Sequence, residues 1–383
     1  MNIARKLIEH SDPFNMDPKE AKEIRLQAIS EFFNHHFGNS PLYSDFCSFM
    51  EIRPEHIQAY EDLSRIPWVP SSFFKALTNF EDPDKVKKLA SVENIVRSFS
   101  TSGSTGEPSF YPFDLESLKI INESNSKIFY HVGGMRESDF VLMLTHSPQI
   151  SDTGMVQGMF LTLKGILWSE KQIDFAIEEG EMDAKRVKDI LLKAKGRVRH
   201  LYGPPFAYND ISDQMIRKNM VVEMDEDSKA FTTGGWKRVK GKITREVLNE
   251  KISNAFGIPQ KNIRDGYGLT DILSIFLECE FHRMHVPPWL YISARDPQDK
   301  NLMKEVPKGE KGVAVIISPI IESYPAVVVP GDYIRITRGY EEKCECGRNG
   351  ATIEFAGRYE DPGRGCALRE EKMIKHMERL KVN

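Results

Sequence analysis

Stretches with apolar residues at helical spacing alternate with short, densely apolar runs along most of this chain. Asp17-Pro18 reads as a cap followed by proline at the first helical position, after which Ile24, Ala28, Phe32 and Phe33 recur at helical spacing. The pattern carries this helix to about residue 37, where His35 and His36 precede Gly38. Adjacent histidines diverge on a helix, which argues against a metal site there. Further helices are expected over 115–132, 183–195, 209–219 and 243–256. Between them, Phe140-Val-Leu-Met-Leu-Thr145 reads as a short strand and 156–167 as a second largely apolar segment. A strand over 199–202 ends at Gly203-Pro-Pro-Phe206, and 229–233 runs into Gly234-Gly235-Trp236-Lys237. Strand, glycine or polar turn, and helix in repetition predict an α/β fold with a largely parallel sheet. Ligands of such sheets lie beyond the carboxyl ends of the strands, where these glycine turns fall.

After residue 285 the pattern changes. Short strands are expected over 286–294, 312–318, 326–329 and 332–336, separated by proline and glycine. The organisation expected is an α/β core over 1–285, a smaller β-rich lobe over 286–361, and a short tail over 362–383. Ile66-Pro-Trp-Val-Pro-Ser-Ser-Phe-Phe-Lys75 reads as an irregular aromatic connection, either lining a hydrophobic pocket or packed into the core.

One stretch fits neither period. Seven of the eight positions from Ser98 to Thr105 are Ser, Thr or Gly, and Gly106-Glu107-Pro108 follow. Such a run is poor helix and poor strand, so a loop is expected. Converging backbone N–H groups and hydroxyls suit a phosphate or another polyanion. The run lacks the Gly-Lys-Ser/Thr of a Walker loop. Strand-like Val92-Glu-Asn-Ile-Val96 and Phe110-Tyr-Pro-Phe113 on either side argue against a plain flexible linker.

Composition narrows the function. With 383 residues, 40% hydrophobic and 28% charged, the chain has ample material for a large core. A net charge of −4 gives no reason to expect nucleic-acid or acidic-membrane binding. Met-Asn-Ile-Ala-Arg-Lys at the start is no signal peptide, and no run approaches the ~18 apolar residues that span a bilayer. Five cysteines, an odd number, look unlike a secreted disulfide framework, so a cytoplasmic protein is expected.

Four motifs in order then become recognisable. Ser-Thr-Ser-Gly-Ser-Thr-Gly-Glu-Pro at 100–108, Gly-Tyr-Gly-Leu-Thr-Asp at 266–271, Pro-Gly-Asp at 330–332 and Ala-Gly-Arg-Tyr-Glu-Asp at 356–361 resemble the adenylate-forming superfamily. A closer resemblance covers nearly the whole chain. The string at 66–75, Leu201-Tyr-Gly-Pro-Pro-Phe206, Thr233-Gly-Gly-Trp-Lys237, His285-Val-Pro-Pro-Trp289, Glu322-Ser-Tyr-Pro-Ala326 and Gly365-Cys-Ala-Leu368 are similar to the LuxE-type acyl-protein synthetases. The phenylacetate-CoA ligase branch is the next nearest relative. The resemblance implies activation of a fatty acid as acyl-AMP, transfer of the acyl group to a cysteine near the C-terminus, and delivery to a partner reductase.

It also implies roles for residues. Ser102, Gly103, Ser104, Thr105 and Gly106 would hold the β- and γ-phosphates of ATP, Thr270 would bond the α-phosphate, and Asp271 would help place Mg²⁺. Gly234, Gly235 and Trp236 would wall the adenine, with Tyr267 in the same nucleotide-binding set. Asp332 would accept from the ribose hydroxyls and Arg358 would contact ribose or phosphate. Two departures stand out. The superfamily loop ends in Pro-Lys, whereas this one ends in Pro108-Ser109. Most relatives continue past the Gly-Arg motif into a domain carrying a catalytic lysine, whereas the residues after Asp361 suffice for one helix, with Met373, Ile374, Met377 and Leu380 on one face. The superfamily's C-terminal domain is therefore expected to be largely absent. Lys237, Arg264 or a tail lysine is left to supply the missing positive charge.

Cysteine chemistry completes the reading. Cys366 lies in Asp361-Pro-Gly-Arg-Gly-Cys-Ala-Leu368, with Arg364 nearby to favour the thiolate and glycines to leave it accessible. A thiolate is a suitable nucleophile toward an acyl adenylate. Separately, Cys279-x5-His285 and Cys344-Glu-Cys346 have donors for a Cys₃His zinc site, with His282 an alternative and buried reduced cysteines the competing reading. Gly347-Arg348 after the last cysteine resembles zinc-bearing members of the phenylacetate-ligase branch. Cys47, among aromatic residues, is expected in the core. The alternatives to an acyl-protein synthetase are a CoA ligase and a non-catalytic acyl- or nucleotide-binding subunit. Acyl chain length, the final acceptor and self-association stay open.

Overall fold

The computed structural model describes residues 3–69, 74, 89–100, 109–151, 154–178, 181–234 and 243–359. The chain forms two units of dense internal contact that are not consecutive in sequence. The first comprises 1–124, 269–274 and 285–383, and the second comprises 125–268 and 275–284.

In the first unit, the helix Pro18–Asn39 starts as its sequence dictates. The Asp17 carboxylate accepts from the N–H groups of Lys19 and Glu20, at 3.0 and 3.1 Å, with proline at the first position. Its apolar stripe of Ala28, Ile29, Phe32 and Phe33 is buried. His36 is core, bonded to the Ser91 hydroxyl at 2.6 Å and the Ile321 carbonyl at 3.1 Å. Burial holds its imidazole well below the usual histidine range, so it is neutral.

The strands Tyr291–Arg295, Gly312–Ile317, Asp332–Arg338 and Thr352–Arg358 form an antiparallel sheet in that order, with Val327–Val328 also paired to Gly312–Ile317. The β-rich character expected after residue 285 is therefore present. The first of these strands begins at Tyr291, later than its sequence suggested, because Pro287 and Pro288 have no N–H to give to a ladder. Thr352–Arg358 had no clear sequence signal; its exposure is mixed, with Phe355 47% exposed. A separate antiparallel hairpin pairs Ile95–Ser100 with Phe110–Asp114, placing Phe99 opposite Tyr111 and Ser100 opposite Phe110. Of the aromatic connection, Trp68 and Phe74 are buried, and the Trp68 indole N–H donates to the Asn301 carbonyl at 3.0 Å. This favours core packing for those two residues.

The second unit holds the parallel sheet. From one side, the order is Ile173–Ile177, Phe140–His146, Arg199–Gly203, Ala230–Thr233 and Ile263–Leu269, each pair parallel, with Ser274–Glu278 next in line. Helices Gly154–Ile166, Ala184–Lys193, Pro205–Arg217 and Arg245–Phe256 alternate with the strands. The apolar segment at 156–167 is thus helix, as its length favours over a strand. Asp183 and Thr244 cap their helices through the N–H groups of Arg186 and Val247. Ile173–Ile177 escaped the sequence reading because polar Asp174 interrupts a very short run. Leu142, Leu201, Ala230, Ile252 and Phe256 are among the residues of one buried apolar cluster, which fixes the carboxyl ends of the strands. Among the described residues no helix is long and apolar enough to cross a membrane.

Candidate active site

In the first unit, three of the residues singled out by sequence come together. Gly331 has φ of 78°, a conformation that L side chains avoid, and turns the chain so that Asp332 begins its strand opposite Arg358. The Arg358 guanidinium lies 2.9 Å from Asp332 Oδ1; the acid's side chain is 3% exposed and the arginine's 68%. The acid of the pair is therefore buried while the guanidinium still reaches solvent. Asp271 is the third member. Burial raises its carboxyl above the usual range, nearby Asp332 pushes the same way, and Tyr111 and Arg358 oppose them. Asp271 is half-buried and Thr270 beside it likewise, so this turn presents polar groups rather than packing them away. The Tyr324 hydroxyl donates to the Asp271 main-chain carbonyl and fixes the turn.

Tyr111 is a contact that sequence reading did not single out. It lies two residues after Ser109, in a stretch read only as strand-like sequence flanking the glycine-rich run. Its hydroxyl donates to the Asp271 carboxylate and accepts from the Ser109 hydroxyl. Its ring centroid lies 4.4 Å from that of Phe74 and 5.9 Å from that of Tyr324, both rings tilted against it. The hairpin itself places the two ends of the Ser/Thr/Gly run side by side at Ser100 and Phe110. Ser102, Gly103, Ser104, Thr105 and Gly106 lie outside the described residues, as do Gly235, Trp236, Lys237, Cys366 and the expected tail helix.

In the second unit, the carboxyl ends of two neighbouring parallel strands carry Gly234 and Tyr267. Gly234 has φ of 74°, which only glycine adopts without strain. Tyr267 is half-buried, its ring 5.7 Å from Phe276. Beside them Thr232 donates to Asp265 at 2.8 Å, and burial followed by repulsion from Glu278 pushes the Asp265 carboxyl up to about 6. Arg245 binds Glu278 through both guanidinium nitrogens, Nη1 donating to Oε1 at 2.7 Å and Nη2 to Oε2 at 2.5 Å. Arg264, considered as a source of positive charge, is buried and donates to the Val132 carbonyl at 2.6 Å. That contact gives it a role in the packing of its own unit.

The thiols show a separate constellation. In the first unit, donor atoms of His285, Cys344 and Cys346 lie within 4.8 Å of one another, with Cys346 Sγ 3.3 Å from His285 Nε2. His285 Nδ1 is buried without a hydrogen-bond partner among the described residues, and Cys344 is buried. Cys279 is buried at the end of the strand Ser274–Glu278, six residues before His285 in sequence. His282 instead faces Glu278 at 3.3 Å and Arg245, so it belongs to the acid–arginine network. Cys47 is core, as expected.

Comparison with known proteins points one way. The family model for LuxE acyl-protein synthetases matches residues 2–374. A long-chain-fatty-acid–luciferin-component ligase of Aliivibrio fischeri is 26% identical over 375 residues, covering 96% of this chain and 93% of that protein. The ligase of the same name from Vibrio harveyi is 26% identical over 372 residues, covering 94% and 91%. Among solved structures, an open conformation of 2-hydroxyisobutyryl-CoA ligase with 2-hydroxyisobutyryl-AMP and CoA superposes with a TM-score of 0.69 at 17% identity, over 91% of this chain and 77% of that one. The thioesterification state of that ligase gives 0.69 at 19% identity, over 91% and 70%. At these identities the likeness shows a fold shared with that ligase.

Proposed function

The chain belongs to the LuxE family of acyl-protein synthetases, which makes it a ligase, and from that premise we propose that it activates a long-chain fatty acid with ATP and loads the acyl group onto Cys366. The observation that carries the ATP half is the grouping of Asp271, Asp332 and Arg358 in one unit, since a nucleotide needs an acceptor for ribose, a cation for phosphate or ribose, and a metal-binding carboxylate. In the first step a carboxylate oxygen of the acid attacks the α-phosphorus; the new P–O bond forms as the bond to pyrophosphate breaks. In the second the Cys366 thiolate attacks the acyl carbonyl, an S–C bond forms, and AMP leaves.

Each proposed residue has a task in this scheme. Asp332 accepts from the ribose hydroxyls, Arg358 pairs with ribose or phosphate, and Thr270 bonds the α-phosphate. Ser102, Gly103, Ser104, Thr105 and Gly106 hold the outer phosphates, Gly234, Gly235 and Trp236 flank the adenine with Tyr267, and Lys237 offers positive charge. Asp271 suits Mg²⁺ by its donor chemistry: it is an oxygen ligand, and donation by Tyr111 occupies one lone pair while leaving others. Mg²⁺ supplies charge neutralisation of the phosphates when bound. The acceptor from Cys366 is proposed to be a thiol of a reductase partner, and the site of action the cytoplasm.

The test combines carboxylate-dependent pyrophosphate exchange with intact mass after incubation with ATP, Mg²⁺ and a panel of fatty acids. Exchange together with a hydroxylamine-labile acyl adduct supports the proposal. Release of acyl-CoA on adding CoA, with no protein adduct, would convert the reading to a CoA ligase. Neither product with any acid would leave a binding subunit.

We further propose a structural zinc ion on Cys279, His285, Cys344 and Cys346. The support is the convergence of an imidazole and two thiols in one unit, the unpartnered buried nitrogen of His285, and a fourth buried thiol close by in sequence. Three thiolates and one imidazole are a closed tetrahedral donor set, which suits a structural zinc. Elemental analysis of protein purified without added metal is expected to give about one zinc per chain. Prolonged chelation is expected to lower Tm by more than about 5 °C, because the binding free energy of a structural zinc is folding free energy. A metal-free preparation with unchanged Tm would return these residues to ordinary packing.

A further inference from the structure

The turn that carries Cys344 and Cys346 is tied to a segment near the start of the chain. Cys344 gives its N–H to the Arg348 carbonyl at 2.8 Å, and Gly347 gives its own to the Cys344 carbonyl at 2.9 Å. Gly347, with φ of 88°, lets the chain reverse this tightly, and a bridge between Lys343 and Asn349 closes the base of the turn. Asn349 then reaches across to the segment 12–16. Its main-chain N–H donates to the Phe14 carbonyl at 2.7 Å, and its side-chain amide donates to the Met16 carbonyl at 3.1 Å. The segment is stiff on its own account. Pro13 fixes one φ, and the Asp12 carboxylate accepts from the Phe14 N–H at 3.2 Å and from the Asn15 side-chain amide at 2.7 Å. Between these anchors the buried Phe14 ring meets two others edge-on, His285 at 6.2 Å and 82° and Trp289 at 6.3 Å and 71°. All of these residues belong to the first unit.

From this arrangement we propose that Phe14 and Asn349 are positioning residues of the zinc centre and that the segment 12–16 is its closing wall, so that zinc leaves only when this segment lifts. The inference rests on the reading of His285, Cys344 and Cys346 as zinc ligands. A metal-bound imidazole is ordinarily oriented by a hydrogen bond at its second nitrogen. His285 turns Nε2 toward Cys346 Sγ, 3.3 Å away, and its buried Nδ1 has no such partner among the described residues. The edge-on contact with Phe14 takes over that task and fixes the plane of the ring. Asn349 acts on the other two ligands. Both thiols sit inside the turn whose base it closes, so swinging either away from a metal means moving that base against two hydrogen bonds. The apolar cover governs exchange as well. Phe14, Met16, Trp289 and Cys344 are buried, and Cys346 is half-buried. A chelator must gain its first bond to the metal before the last protein ligand lets go, and a wall of buried apolar groups denies it that approach.

The test follows transfer of zinc from the zinc-loaded full chain to the chromophoric chelator pyridylazoresorcinol, at a temperature well below Tm. Phe14→Ala is expected to release zinc about tenfold faster than the parent, the scale on which groups surrounding metal ligands act. Phe14→Leu, which restores apolar bulk without the ring, should fall between the two. Asn349→Ala loses the bond to Met16 and keeps the main-chain bond to Phe14, so release should quicken about fivefold, as for one hydrogen bond. Should Phe14→Ala fail to fold, Asn349→Ala carries the test alone. Ile29→Val, a buried substitution in the same unit, should lower Tm and leave the release rate unchanged. A merely structural role for Phe14 and Asn349 would make release follow Tm alike in every variant. That result, or release at the parent's rate from Asn349→Ala and Phe14→Ala, overturns the inference while leaving zinc binding intact. A parent protein that holds no zinc and takes up none on addition would remove the zinc reading, and this inference with it.

Discussion

Asp271→Ala is expected to lower carboxylate-dependent pyrophosphate exchange by at least about a hundredfold, the scale on which one oriented electrostatic contact to a phosphoryl transition state is worth. Two features of the structure make this loss separable from unfolding. The bond that fixes the turn runs from Tyr324 to the main-chain carbonyl of residue 271, which alanine retains. The carboxyl is also held above its unfolded value by burial and by Asp332. A carboxyl whose folded pKa is raised contributes stability at low pH that is lost as pH rises through the folded value. Wherever it is ionised, this acid is therefore a burden on the fold, one that the proposed metal role would account for. Asp271→Asn removes the burden and keeps the shape, so its Tm at neutral pH should equal or exceed that of the parent while exchange collapses. A mutant with full exchange, or one whose activity falls only in proportion to lost folded protein, would remove Asp271 from the metal role.

How much of this site was legible in the sequence follows from which interactions are local. Asp271, Asp332 and Arg358, which the structure groups in one unit, were readable as candidates because each sits in a short string punctuated by glycine or turn residues, of which Gly331 with its positive φ is one. The parallel strands were readable wherever burial on both faces made an unbroken apolar run, as at Phe140–His146. Legibility failed where the deciding contact is distant. Tyr111 lies 160 residues from Asp271 in number but shares a hydrogen bond with it, and nothing in Phe110-Tyr-Pro-Phe113 distinguishes that tyrosine from core. Asp265 was passed over for the same reason, since its elevated carboxyl arises from burial and then from Glu278 rather than from its neighbours in the motif. The first unit is another case: residues 1–124 share it with the strands after 285, an arrangement that hydrophobic periodicity does not encode.

Cys366→Ser is the substitution expected to divide the two half-reactions. Adenylation chemistry is assigned to Asp271, Asp332, Arg358 and the glycine-rich run, so the mutant should retain pyrophosphate exchange at near the parent rate. It should lose the hydroxylamine-labile acyl mass altogether, because an unactivated serine hydroxyl, deprotonated only at very high pH, is a far weaker nucleophile than a thiolate. Acyl-AMP should then accumulate on the protein and hydrolyse slowly, which intact mass under native conditions and release of labelled AMP both read. Gly363 and Gly365 flank Arg364 in the sequence, and glycine restricts backbone torsions least, which the proposed movement of the sulfur to an adenylate and away again would require. Gly365→Pro, which removes that freedom without touching the thiol, should slow acyl loading by about tenfold or more while leaving exchange alone. Transfer to an added reductase should fail in Cys366→Ser and be slowed in step with loading in Gly365→Pro. Full acylation of the Cys366→Ser protein at another residue would place the acceptor elsewhere, and acyl-CoA formation indifferent to Cys366 would make the enzyme a CoA ligase.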